Sequence, residues 1–222
     1  MIEEHVVVET PEGDMSTFIV RPQSDDLLPT ILFLMDAPGK REELHDMARR
    51  IAAAGYYVML PNLYYRDVPS FTVHREDPVS ARYMAQLMAN LSNSMVARDA
   101  AVLLNYAANE VAADENSVGV TGYCKSGPFA LWVAAEYPEK VKATASNHGG
   151  KLAHDTEDSP HKRAEDIAAE VLVMAAEFDD WVDRPHFDRL VTALDDAGTN
   201  YNAEWIDGVH HGFVFPQRAK YD

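Results

Sequence analysis

One cysteine, Cys124, stands in Gly122-Tyr-Cys124-Lys-Ser126-Gly127, with a small residue two places before it and another two places after it. A tight turn from a strand into a helix requires that spacing, because larger flanking side chains would collide. Such a turn exposes its central side chain beyond the strand's C-terminal end, over the N-terminus of the following helix. The helix dipole there favours thiolate over thiol, and the backbone amide of Lys125 is placed to donate to a developing oxyanion. A thiol at neutral pH needs a base to act as a nucleophile, and the base is most often a histidine held by a carboxylate. Downstream the chain supplies both, in the order nucleophile, acid, base: Asp179 or Asp180, then His210 or His211. The bland alternative is a buried structural cysteine in a glycine turn, since free cysteine is among the most buried residue types.

The elements that would carry these residues alternate between strand and helix. Val118 to Thr121 is a β-branched run that breaks at Gly122, and from Ser126 onward Phe129, Ala130, Val133 and Ala134 fall on one helical face. Upstream, His5 to Glu9 and Met15 to Arg21 alternate around Pro11-Glu-Gly-Asp14 and predict a hairpin. Thr30 to Met35 is a continuous apolar strand ending in the loop Asp36-Ala-Pro-Gly39. A helix over 41–54, a strand over 56–60 and a loop over 67–78 follow. Helical pattern then runs from Val79 to Ala113 with a break near Asn90-Leu-Ser-Asn93. After the central turn come strands over 141–146, 170–176 and 201–206, and a helix over 185–197 capped by Gly198. This alternation predicts an α/β fold with a mostly parallel central sheet and helices on both faces, in a single domain over 1–222. Ligands of such sheets bind beyond the strands' carboxyl ends, and Cys124, Asp36, Asp179 and His211 all fall in such loops.

Composition removes other classes. The chain has 222 residues, 47% of them hydrophobic, and a net charge of −17. That charge excludes nucleic-acid and anionic-membrane partners, which require clustered Lys and Arg. No apolar run approaches a membrane span, and Met1-Ile-Glu-Glu-His does not start a signal peptide. With one cysteine no internal disulfide forms, and a cytoplasmic location is expected. His154 and His161 flank an acidic loop without tight ligand spacing, so no metal or other cofactor is expected.

With these residues in place, the sequence resembles the dienelactone hydrolase family of α/β-hydrolases. Gly122-Tyr123-Cys124 is similar to its nucleophile turn, Ala176-Glu-Phe-Asp179-Asp-Trp-Val182 to its acid loop, and Gly208-Val-His-His211-Gly-Phe213 to its histidine loop. The segment from Ala53 to Tyr64 is similar to the stretch after its first helix. The resemblance implies the triad Cys124, His211 and Asp179, with Asp36 beside the thiol where the family carries Glu. The amides of Ala37 and Lys125 would form the oxyanion hole. It implies hydrolysis of a small-molecule ester or lactone through an acyl-enzyme, by a monomer or small homo-oligomer. Lys125-Ser126 replaces an apolar residue and Gly of the family, and Phe215 stands where dienelactone-specific members carry an Arg. The missing cation turns attention to Arg66, His74, Arg75 and Arg82 as carboxylate anchors, and to Arg66, Tyr64 and Phe215 as substrate contacts. The rival is a non-catalytic protein of this fold that binds a ligand or senses oxidants through Cys124. A pure sensor has no need of the acid–histidine pair.

Overall fold

The chain opens with strands β1 (Ile2–Thr10) and β2 (Gly13–Arg21), paired antiparallel from Ile2↔Arg21 to Thr10↔Gly13 in the computed structural model, which describes every residue except Arg75. Two units divide the chain, Met1–Val118 and Gly119–Asp222. In the first, β3 (Leu28–Leu34) runs parallel to β4 (Tyr57–Pro61), and β4 pairs antiparallel with β2, giving the order β1-β2-β4-β3. Every residue of β4 is buried. Burial on both faces explains why this strand and β3 read as continuous apolar runs rather than as alternation. Helix α1 (Glu42–Ala53) buries Leu44, Ala48 and Ala52, and Gly55 (φ 101) takes the left-handed position after its end.

The helical pattern expected over 79–113 is two helices and the start of a strand. In α2 (Pro78–Ala89) the Asp77 carboxylate accepts from the amides of Val79 and Ser80, and Pro78 takes the first turn. In α3 (Asn93–Ala107) the Ser92 hydroxyl accepts from Met95. Strand β5 (Ala113–Tyr123) starts well before Val118. Its first residues, Asp114-Glu-Asn116, are polar and have no β-branched side chain, so nothing in their pattern announces a strand.

The second unit follows β5 with a 3-10 turn (Cys124–Ser126) and helix α4 (Gly127–Glu136). Then come β6 (Val141–Asn147), a 3-10 segment (Pro160–Asp166), β7 (Glu170–Phe178), α5 (Arg184–Ala197) and β8 (Tyr201–His210). Strands β6, β7 and β8 are parallel neighbours. Helix α4 is buried almost all round, not on one face, because β6 and the 3-10 segment both pack against it. The eight strands make a mostly parallel α/β architecture. Among the described residues no helix is long and apolar enough to cross a membrane.

Two glycines let α4 approach the loop after β6. A Cβ on Gly127 or on Gly149 would overlap the other residue's Cα and the Ser146 hydroxyl. Gly149→Ala is therefore expected to destabilise the protein by about 1–3 kcal/mol, the usual cost of overpacking. The neighbouring Gly150 has room for a Cβ at 3.4 Å from the Trp181 Cβ, so Gly150→Ala serves as the control in urea melts. Equal stability of the two variants would refute a close approach at Gly149.

Candidate active site

Strand β5 delivers Cys124 in the left-handed region, at φ 54, a conformation that costs an L residue roughly 1–2 kcal/mol. Gly122 permits it: a Cβ there would overlap the Ser126 carbonyl. The loop after β6 braces the turn. The Asn147 side-chain amide donates to the Gly122 carbonyl at 3.1 Å and to the Thr121 hydroxyl at 2.9 Å, and the Gly150 amide donates to the Cys124 carbonyl at 3.3 Å. The thiol is free and half-buried. Lys125 follows at the start of the turn, where a backbone amide has no intrahelical acceptor. Its side chain lies 5.2 Å from the Phe129 ring centroid. Burial lowers its proton affinity and Lys151 adds to that, while Cys124 and Asp158 oppose.

Strand β8 runs on to His210, past the expected end at Ile206, with Gly208 at φ 82 and a register shift against β7 after Ala176. The His211 amide then donates to the Phe178 carbonyl at 3.0 Å. This separates the two histidines. His210 packs on Phe178 with ring centroids 4.9 Å apart, and its Nε2 lies 3.3 Å from the Lys220 ammonium. His211 places Nδ1 2.6 Å from the Asp179 Oδ2 and Nε2 3.1 Å from the Cys124 Sγ. The Asp179 side chain is 1% exposed and its other oxygen accepts from the Trp181 amide at 2.9 Å, whereas Asp180 is exposed. With a carboxylate on Nδ1, the neutral ring keeps its proton there and turns the Nε2 lone pair to the sulfur. Burial opposes a charge on His211. The bonds to Asp179 and Cys124 outweigh it and raise the pKa to about 9.

The expected contributors from the first unit have other partners. Asp36, 1% exposed, is held by the Arg41 guanidinium at 2.5 and 3.2 Å, and Arg41 also binds the buried Glu43. Ala37 sits in the same loop, its carbonyl accepting from the Tyr64 hydroxyl at 2.8 Å. Tyr64 is 1% exposed, so it props that loop and offers no free surface to a ligand. Arg66 is claimed by Asp99, through two bonds of 2.6 and 3.0 Å, and by Glu12 at 2.6 Å. A substrate carboxylate would have to displace them. Arg82 is exposed and donates to the Pro78 carbonyl, the His74 amide donates to Ser80, and Arg75 lies outside the described residues. In the second unit, Phe215 is fully buried and packs against Tyr123 and His148, so its ring has no exposed face.

Two residues without an expected role stand beside His211. Trp181, 60% exposed, lies with its ring centroid 4.6 Å from that of His211, and buried His148 approaches the same ring at 4.6 Å. Their positions in loops after β7 and β6 were the available signal, since ligands meet such sheets at those ends. Nothing in the residue types said that the two would converge on one imidazole.

Comparison with known proteins gives the family. The profile of the dienelactone hydrolase family matches residues 15–222. The chain is 27% identical to the carboxymethylenebutenolidase of Rhodococcus opacus, over 92% of this chain and 78% of that protein. It is 25% identical to a candidate carboxymethylenebutenolidase of Methylorubrum extorquens, over 100% of this chain and 75% of that one. The crystal structure of a candidate dienelactone hydrolase from Klebsiella pneumoniae superposes with a TM-score of 0.87 at 23% identity, covering 100% of this chain and 91% of the other. A family match over almost the whole chain, on a shared fold, leads to one statement: the chain belongs to the dienelactone hydrolase family of α/β-hydrolases.

Proposed function

We propose that the chain hydrolyses a carboxylic ester or lactone through a covalent thioester on Cys124, in a reducing compartment such as the cytoplasm. The observation that supports this is the unbroken relay Asp179–His211–Cys124, at 2.6 and 3.1 Å. His211 takes the Cys124 proton on Nε2, and Asp179 stabilises the resulting imidazolium. The thiolate attacks the carbonyl carbon, and the Lys125 amide donates to the oxyanion. Collapse of the tetrahedral intermediate breaks the C–O bond, and the departing alkoxide takes the proton from His211 Nε2. Water then attacks the thioester while His211 accepts its proton, and the acid leaves as the thiolate re-forms. In a lactone the departing alcohol stays tethered to the acyl group.

The Cys124 Sγ lies 3.1 Å from the His211 Nε2, the reach of a nucleophile and its base. Iodoacetamide is expected to alkylate Cys124 quickly at mildly acidic pH and to abolish esterase activity. Alkylation no faster than that of a free cysteine, or full activity in Cys124→Ala, would overturn the reading.

The rival side chains give a second test. Asp179→Asn and His211→Ala should each lower kcat by orders of magnitude, as in other triads, where loss of the orienting acid costs about 10⁴. Asp180→Asn and His210→Ala should change it little, because neither side chain faces the sulfur. A larger loss at Asp180 or His210 would move the triad by one residue.

Substrate preference follows from charge. Arg66 is already paired with Asp99 and Glu12, whereas Trp181 offers an exposed apolar face beside His211. A charge-assisted hydrogen bond contributes roughly 1.5–3 kcal/mol, so its loss costs about ten- to a hundredfold in affinity for an anion. Neutral or aryl esters should show higher kcat/KM than an anionic dienelactone at fixed salt. A preference for the free acid would contradict this, and Ala substitution of Arg66 or Arg82 would then identify the anchor.

A further inference from the structure

The imidazole of His148 is 1% exposed, and neither of its ring nitrogens has a hydrogen-bond partner. Four rings surround it: His211 with centroids 4.6 Å apart and planes at 70°, Phe215 at 5.4 Å, Phe213 at 6.0 Å and Tyr123 at 6.4 Å. An unmet buried nitrogen is destabilising, and a phenyl ring in the same space would avoid that. The backbone is strained too, with His148 at φ 40. Strain of this kind collects where a side chain is needed for function.

The neighbours of His148 say what that function is. Tyr123 precedes the nucleophile, and Phe213 and Phe215 follow the base, so His148 ties the strand carrying Cys124 to the loop carrying His211. The two hydrogen bonds of His211 leave from Nδ1 and Nε2, on opposite sides of its ring. They hold the line between the two nitrogens but leave the tilt of the ring about that line, and with it the direction of the Nε2 lone pair, less constrained. A second ring set at a steep angle against it closes that freedom. We propose that His148 is a positioning residue, whose ring stops the His211 imidazole from rocking and keeps Nε2 aimed at the Cys124 sulfur.

Burial first, and then the nearby His211 and Arg218, disfavour a charge on His148. It therefore stays a neutral ring beside a base that carries the proton. The inference rests on the triad reading and deepens it.

The test compares His148→Leu with His148→Phe. Both fill the space and bear the same backbone strain, but only Phe keeps a ring. His148→Leu should lower kcat by roughly 10- to 100-fold with KM little changed, the scale of a misplaced catalytic group, while His148→Phe stays near wild type. Alkylation of Cys124 by iodoacetamide across a pH series, which needs no substrate, should slow below neutrality in His148→Leu and not in His148→Phe. If His148→Leu does not fold, His148→Asn, which tolerates the left-handed backbone, takes its place. Wild-type behaviour of the ringless variant would overturn the proposal. So would equal impairment of His148→Phe, which would give the role to the ring nitrogens. His211→Ala separates the two readings. If it leaves kcat and alkylation unchanged, the triad reading fails. If it collapses both while His148→Leu changes neither, only the positioning role fails.

Discussion

A left-handed backbone at Cys124 (φ 54) persists only because the chain around it blocks relaxation. A residue so placed would gain roughly 1–2 kcal/mol by flipping to an ordinary conformation, and the flip would swing the sulfur away from His211. Gly122 admits the turn, the Asn147 amide clamps the Gly122 carbonyl, and the Gly150 amide clamps that of Cys124. Gly127 and Gly149 allow helix α4 and the loop after β6 to come close enough for those clamps to reach. The placement of the Cys124 sulfur is thus a property of the loop at residues 147–150 as much as of the motif that contains the cysteine.

His211 depends on the same region. Asp179 and Cys124 hold His211 at its two nitrogens, and the rings of His148 and Trp181 lie against it. One short segment after β6 therefore supplies the clamps on the Cys124 turn and a ring packed on His211. Its glycines and its strained histidine are local compromises that a segment free of such duties would not carry.

What the sequence made legible, and what it hid, divides along physical lines. The strand–turn–helix around Cys124 was readable because its glycine spacing and its change of period are local. The loop of Asp179 is readable because it follows an apolar strand, and that of His211 because it follows the alternating segment from Tyr201 to Ile206. Side-chain partners distant in sequence were not readable: Arg66 meets Asp99 33 residues away, and no pattern near either residue says so. The burial of Phe215 depends on the aromatic cluster about His148, assembled from three separate elements. The start of β5 escaped notice because its strand is built from polar residues, and α4 read as one-sided because periodicity does not reveal how many neighbours a helix has.

Charge balance sets a last constraint. The chain has 36 acidic and 19 Lys and Arg residues, and several of its arginines are shared among carboxylates. Arg41 serves Asp36 and Glu43, Arg66 serves Asp99 and Glu12, Arg49 serves Glu3, Glu42 and Asp46, and Arg163 serves Glu136 and Asp166. A ligand carboxylate approaching any of these must replace a bond of similar strength that already exists. Displacing Asp99 from Arg66 would also strand a nearly buried carboxylate, and removing one partner of a buried pair costs more than the pair contributes. Recognition by charge is therefore penalised by the protein's own acids. That penalty supports the proposal that shape and apolar contact near His211, rather than charge, distinguish one ester from another.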